Sequence, residues 1–222
     1  MKILAFDTST KFLTIACMED EAVMASFHED AGVKHSEILI PTIKGMLEGL
    51  GWELKDLGLV CVGLGPGSFT GLRIAVATVK GLAAAAGTKV IGVPTMDAIV
   101  MNAPENRGSV APFLDAHKGK VYTCIYERSE GGLKRITDYT LAAVEEILNG
   151  LEEEVFFFGS GVIKYKDKLE NCALAQYNKD VDWYPKAADI GRLGHKKSLE
   201  GADDPETIDP LYLHSKECNI IQ

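Results

Sequence analysis

The segment GLGPGSFTGLR, from Gly63 to Arg73, combines four glycines, two hydroxyl side chains and an arginine between a predicted strand and a predicted helix. A helix start of this kind can bind an anion, because its backbone N–H groups are uncompensated donors. The spacing fits neither a P-loop nor the dinucleotide fingerprint G-x-G-x-x-G, and it lacks the G-x-S-x-G of a nucleophile elbow. An anion or nucleotide contact remains open for one set of residues: Gly67, Ser68, Thr70 and Arg73. We favour the alternative that Ser68 or Thr70 caps the helix while the glycines permit close packing.

Two aspartates, Asp7 and Asp115, occupy matching places at the end of the first predicted strand in each half of the chain. The loops that follow them, DTST and DAHK, lack the glycine that would let a phosphate approach the backbone closely. We therefore favour turn formation over metal or phosphate binding for both residues. A nucleotide contact by Asp7 and His117 stays open as the weaker alternative. The five histidines show no H-x-x-x-H or H-E-x-x-H spacing, which predicts no metal site.

The bulk composition narrows the class of protein. The chain has 222 residues, of which 46% are hydrophobic, and its 23 basic and 32 acidic residues give a formal net charge of −9. This charge opposes direct binding of a polyanion, so any contact with nucleic acid is expected through a partner. Five scattered cysteines without a C-x-x-C pair indicate reduced thiols rather than disulfides or zinc. No apolar run approaches bilayer length, and we expect a cytoplasmic protein with no membrane contact.

The elements that must position these residues follow from hydrophobic periodicity and turn signals. In the first half they are strands KILAFD, FLTIACM and AVMASFH, a helix from Ser36 to Leu50, strand LGLVCVGL, a helix over 71–86, a strand from Lys89 to Val93 and a short helix capped by Thr95. In the second half they are strands VAPFLDA, KVYTCIYE and LKRITDYTL, a helix from Thr140 to Asn149, strand EVFFFG and helices over 163–171 and 187–200. The order β-β-β-α-β-α therefore occurs twice, which predicts an α/β protein with two related lobes, 1–104 and 105–222. Whether the last helix returns to the first lobe stays open.

Both helices of the first lobe carry more apolar surface than one sheet contact requires. The helix over 71–86 is apolar nearly all round, and in the helix over 36–50 Ile38 and Ile40 point away from the main stripe. The surplus must be covered either by the rest of the chain or by a partner. Small residues such as Ala77 and Gly81 would let a second helix approach closely.

The duplicated order, with Asp7 at the end of the first strand, resembles the actin-like ATPase (sugar kinase/Hsp70/actin) superfamily, which is built from two ribonuclease-H-like lobes with mixed sheets. Five motifs resemble, in order and over the whole chain, the TsaB (YeaZ) family of bacterial tRNA-modification proteins: ILAFDTST, HSEILIPTI, VGLGPGSFTGLRIAVATVKGLA, DAHKGKVYTCIYE and DPLYLHSK. One position departs from the family, which usually has arginine where this chain has His117.

The resemblance implies a non-catalytic scaffold or activator that pairs with its catalytic paralogue TsaD. The pair would transfer threonylcarbamoyl to adenosine 37 of tRNAs that read ANN codons, giving threonylcarbamoyladenosine (t6A). The ATPase TsaE is the third expected partner, and a homodimer is expected when TsaD is absent. ATP and metal are expected on the partner subunits, with no cofactor on this chain alone, and tRNA is expected only through the complex.

The same resemblance favours a helix-bundle contact with TsaD through the first two helices. The residues expected at this interface are Ile38, Ile40, Met46, Gly71, Ile74, Ala77, Thr78, Gly81 and Ala85. Two enzymatic alternatives remain: an ATP-dependent kinase-like protein of the same superfamily, or a glycoprotease-like hydrolase that uses Ser68.

Overall fold

The computed structural model describes residues 1–213, and the end of the DPLYLHSK motif, His214 and Cys218 lie outside the described residues. In the first part of the chain the elements are β1 Lys2–Asp7, β2 Phe12–Glu19, β3 Ala22–Asp30, α1 His35–Gly49, β4 Leu59–Gly63, α2 Phe69–Ala86, β5 Lys89–Val93 and α3 Thr95–Ile99. They continue with β6 Ser109–Asp115, β7 Lys120–Thr123, β8 Tyr126–Ser129, β9 Gly132–Arg135, β10 Thr140–Ala143, α4 Val144–Asn149, β11 Val155–Phe158, α5 Ser160–Lys164, α6 Lys166–Glu170, β12 Ala175–Tyr177 and α7 Ala187–Ser198.

The chain forms two compact units. The first combines Met1–Ala98 with Pro185–Leu211, and the second is centred on Ile99–Tyr184. The boundary expected from the sequence, residue 104, lies a few residues beyond this division. The last helix, α7, packs on the sheet of the first unit.

The sheet of the first unit has the strand order β3-β2-β1-β4-β5. β1 pairs antiparallel with β2 and parallel with β4, so the sheet is mixed. Alternate residues of β1 face opposite sides: Leu4 and Phe6 lie in the core beneath α1 and α2, whereas Ile3 and Ala5 lie in the core beneath α7. Helices therefore cover both faces, as the continuous apolar strands require.

The sheet of the second unit repeats this arrangement with the order β10-β7-β6-β11-β12, and β8 and β9 extend it beside β6. β6 pairs antiparallel with β7 and parallel with β11, as β1 does with β2 and β4. The two mixed sheets of equal strand order confirm the predicted fold class.

The predicted strand KVYTCIYE is interrupted between β7 and β8. The register on both sides places Pro112 of β6 opposite Cys124. Proline has no backbone N–H to donate, and it disturbs a β-ladder at this point. The predicted strand LKRITDYTL is likewise divided into β9 and β10.

Several predicted helix boundaries are wrong. Ser36 does not cap α1, because the helix begins at His35 after Lys34 and has no side-chain cap. Thr140 begins strand β10 rather than a helix, since its segment pairs with β7, and α4 starts only at Val144. The predicted helix over 163–171 is two short helices, α5 and α6, separated at Tyr165. Strand β12 was not predicted.

The described cysteines are free thiols: Cys17, Cys61 and Cys124 are buried, and Cys172 is half-buried. Burial raises the pKa of Cys61 to about 12, so this thiol stays protonated at neutral pH. Among residues 1–213, no group of three His, Cys, Asp or Glu side chains is placed to hold a metal ion.

Candidate functional site

The Asp7 carboxylate is completely buried and is hydrogen-bonded by its own chain. Its Oδ1 accepts from the backbone N–H and the hydroxyl of Ser9, both at 2.7 Å, and its Oδ2 accepts from the Thr95 hydroxyl at 2.7 Å. Burial raises the pKa of Asp7, and the hydrogen bonds from Ser9 and Thr95 act in the opposite direction. Asp7 thus forms the expected turn with Ser9.

The loop after β4 lies directly against the loop after β1. The Ser68 N–H donates to the Ser9 carbonyl at 2.7 Å, and the Thr8 hydroxyl donates to the Gly71 carbonyl at 2.7 Å. A Cβ added at Gly67 would lie 2.3 Å from the Ser9 carbonyl oxygen, and one at Gly71 would lie 1.9 Å from that of Thr8. These glycines are needed because backbone meets backbone here.

Ser68 is the N-cap of α2, since its hydroxyl accepts the N–H of Gly71 at 3.2 Å. This hydrogen bond satisfies one of the free donors at the helix start. Thr70 and Arg73 are exposed on the first turns of the helix. The sequence left two interpretations of the GLGPGSFTGLR segment: an anion contact, or a helix cap with close packing. The contacts that its residues make are those of a cap and of close packing.

Asp115 holds the equivalent place in the second unit, where three donors and the ring of His117 lie around its carboxylate. The Lys164 ammonium and the Tyr165 hydroxyl each lie at 2.8 Å, the His117 backbone N–H lies at 3.0 Å, and the His117 ring lies at 3.4 Å. Partial burial raises the pKa of Asp115, but the hydrogen bonds from Lys164, Tyr165 and His117 outweigh it and hold the pKa below its usual value. The ring of His117 is exposed, with 84% of its side chain accessible.

Tyr165→Phe is expected to lower the free energy of unfolding by about 1.5 kcal/mol at pH 7, because a partly buried hydroxyl no longer donates to the Asp115 carboxylate. A depressed carboxyl pKa contributes stability above its unfolded value of 3.8 and loses it as the pH falls through the folded value. The difference between the variant and the wild type should therefore begin to shrink as the pH falls below about 3.8, and it should be smallest below the folded pKa of Asp115. Urea unfolding from pH 3 to pH 7 measures the difference.

Tyr177→Phe is the matched control, because the Tyr177 hydroxyl bonds Glu170 at the surface. At pH 7 it should change stability less than Tyr165→Phe does. Equal effects of the two substitutions would contradict the role assigned to Asp115.

The sequence did not identify Thr95, Lys164 or Tyr165 as partners of the two aspartates. Thr95 follows β5, and Ser160, whose hydroxyl accepts the Asp115 N–H at 3.0 Å, follows β11. Both lie where parallel strands end at one edge of a sheet, which is the place where functional groups gather in α/β folds. The ends of these parallel strands are therefore the sequence feature that could have located Thr95 and Ser160.

The predicted interface residues differ in exposure. Gly71 is buried, and Ile38, Met46 and Ile74 are half-buried against the core beneath α1 and α2. The remainder are exposed or, for Thr78, half-buried. We use the term α1–α2 surface for the following residues: Ile40, Ala77, Thr78, Gly81, Ala84 and Ala85.

By length and composition alone, helix α2 could cross a membrane, a test that buried helices of globular proteins also pass. In this structure 33% of its residues are buried. Its buried side packs on the first sheet through Ala75, Val76 and Val79. Its other side has small apolar residues exposed to solvent. A surface helix ordinarily carries polar residues on its exposed side, so this composition is unusual.

The repeated mixed sheet, with an aspartate at the end of the first strand of each unit, defines an actin-like ATPase fold. The model of the family described as TsaD: tRNA N6-adenosine threonylcarbamoyltransferase matches residues 27–207. The tRNA threonylcarbamoyladenosine biosynthesis protein TsaB of Escherichia coli (strain K12) is 31% identical, over 97% of this chain and 95% of that protein. TsaB of Bacillus subtilis (strain 168) is 29% identical, over 98% and 96%.

The solved structure of YeaZ from Pseudomonas aeruginosa superposes with a TM-score of 0.80 and 25% identity, covering 96% of this chain and 99% of that one. The chain belongs to the TsaB family, within the broader family that the TsaD model describes.

Proposed function

We propose that this chain is the non-catalytic accessory subunit for t6A formation on tRNA, and that it pairs with TsaD through the α1–α2 surface. The names of its full-length relatives support the pathway. The match of a TsaD model to residues 27–207 supports a common origin with the catalytic subunit.

The non-catalytic role is inferred from the hydrogen bonds that the carboxylates of Asp7 and Asp115 accept. In ATPases of this fold, the corresponding carboxylates face metal and phosphates. Here Asp7 accepts hydrogen bonds from Ser9 and Thr95, and Asp115 accepts from Lys164 and Tyr165. Metal or phosphate binding at Asp7 would require those hydrogen bonds to be replaced and the closely packed glycine loop to move.

The partner subunits bind ATP and metal, and the assembled complex contacts tRNA in the cytoplasm. TsaE is the third component, and self-association through the α1–α2 surface replaces the TsaD contact when TsaD is absent. The net charge of −9 agrees with tRNA being bound mainly by a partner.

The test is reconstitution with purified components. The chain alone, given tRNA and threonylcarbamoyl-adenylate, is expected to form no t6A, and TsaD with TsaE is expected to gain activity when the chain is added. Modification of tRNA by the chain alone would contradict the proposal. Labelling of Ser68 by a serine-reactive probe would instead support the hydrolase, and tight ATP binding by the chain alone would support the kinase-like alternative.

A further inference from the structure

Arg73 lies beside the α1–α2 surface, on the second turn of α2, and its side chain is exposed. Its guanidinium carbon is 3.9 Å from the centre of the Phe69 ring, which is itself 53% exposed. Stacking holds the flat face of a guanidinium against a ring and leaves its N–H edges free for in-plane hydrogen bonds. The guanidinium thus lies against the ring, and its N–H groups that point away from the ring can donate to an anion.

Helix α2 has few charged side chains, and that of Lys80 already has partners. The helix contains two charged residues, Arg73 and Lys80. The Lys80 ammonium donates to the Glu206 carbonyl at 2.9 Å and lies 3.8 Å from the Asp209 carboxylate. Within residues 1–213, Arg73 has no ion pair or hydrogen bond to its side chain beyond the stacking on Phe69. This leaves one unpaired cation at the edge of an apolar surface in a chain with a net charge of −9.

The backbone beneath Arg73 is held firmly. Ser68 caps the helix, and Thr8 donates to the Gly71 carbonyl from the neighbouring loop. The ring of Phe69 further restricts the arginine side chain. Less conformational entropy is lost on binding when the group is ordered in advance, so this arginine is prepared for a contact.

We propose that Arg73 is the charge anchor of the α1–α2 surface and that it binds a carboxylate on an apolar helical face of the partner subunit. The inference rests on the proposed function and identifies the chemistry that the partner must supply. A helix that covers Ala77 and Gly81 removes water from Arg73, and a desolvated charge without a partner is strongly unfavourable. An aspartate or glutamate at that place forms a bidentate pair with the guanidinium.

Arg73 therefore selects the partner in two ways: it attracts a carboxylate, and it disfavours an apolar helix that has none. A partner helix that is apolar but lacks the acid would leave the guanidinium buried and unpaired, and it is rejected. The apolar neighbours Ile74 and Ala77 favour a protein helix over a nucleic-acid phosphate as the source of the anion.

The test is calorimetric titration of the full chain against purified TsaD, for wild type, Arg73→Met and Arg73→Gln. Methionine keeps the apolar stem and removes the charge, and glutamine is the second variant should methionine disturb folding. We expect each variant to bind at least about 30-fold more weakly, with unchanged melting temperature. Their affinities should also vary less between 50 and 500 mM salt, because the lost contact is ionic. Arg192→Met is the matched control, since Arg192 lies on α7 and pairs with Asp189. It should bind as the wild type does.

The outcomes separate the inference from the proposed function. If the Arg73 variants bind TsaD with the affinity and the salt dependence of the wild type, only the assignment of Arg73 is overturned. Failure of the wild type to bind TsaD would overturn the proposed function and the inference with it. Binding of tRNA by the wild-type chain alone that is lost in Arg73→Met would assign the arginine to phosphate and overturn the carboxylate. Restored binding of Arg73→Glu by one Asp→Arg or Glu→Arg variant of TsaD would identify the paired acid.

Discussion

Gly81→Arg is expected to reduce binding to TsaD by on the order of 100-fold or more while leaving the isolated chain folded. Gly81 is exposed at the centre of the α1–α2 surface, and a Cβ added there meets no atom within 4 Å. The new side chain therefore has room in the free protein. In the complex it would stand between two closely packed helices and bury an unpaired charge, which costs about 3–5 kcal/mol.

Co-elution with TsaD on gel filtration and calorimetric titration measure the effect. Gly108→Arg is a suitable control, because Gly108 is an exposed glycine of the second unit with equal free space around it. Thr78→Arg should act in the same direction as Gly81→Arg. Full binding by Gly81→Arg would show that the partner contacts another part of the molecule.

Gly71→Ala is expected to lower the free energy of unfolding by about 1–3 kcal/mol, the usual cost of forcing an extra group into a packed interior. The added Cβ would lie 1.9 Å from the Thr8 carbonyl oxygen, and backbone cannot turn aside as a flexible side chain can. The first turn of α2 must then move away from the loop after β1. Thermal and urea unfolding of the isolated chain measure the loss.

Gly81→Ala provides the matched control, since it is the same substitution in the same helix without a steric contact. Alanine is a better helix former than glycine, so this variant should gain about 0.5–1 kcal/mol. The two substitutions are thus expected to have opposite signs. A loss from Gly81→Ala as large as that from Gly71→Ala would contradict the steric explanation.

The sequence predicted most of the strands because their signal is local. Continuous apolar runs such as LGLVCVGL are buried on both faces, and that pattern is visible without knowledge of the neighbours. Boundaries that depend on pairing were predicted less well. The segment at Thr140 has a helix-cap residue type, yet it is a strand because β7 lies beside it. The break at Cys124 depends on Pro112, which is distant along the chain and opposite in the sheet.

For the candidate site, too, local features were predictable from the sequence and long-range contacts were not. From residue spacing alone, the sequence excluded a P-loop, a nucleophile elbow and a dinucleotide fingerprint in GLGPGSFTGLR, and it favoured a cap and close packing. It did not reveal what the glycines pack against. Thr8 and Gly71 are separated by 63 residues and meet only because β1 and β4 are neighbouring parallel strands.

By itself, then, the sequence determined the duplicated α/β fold, the family motifs and the unusual apolarity of α2, since each is carried by the order and type of residues along the chain. Tertiary structure decided which donors surround Asp7 and Asp115, that Gly71 is buried while Gly81 is exposed, and that within residues 1–213 Lys80 is paired while Arg73 is not. These properties depend on distances between residues far apart in sequence. Only the folded chain brings such groups together or leaves one of them without a partner.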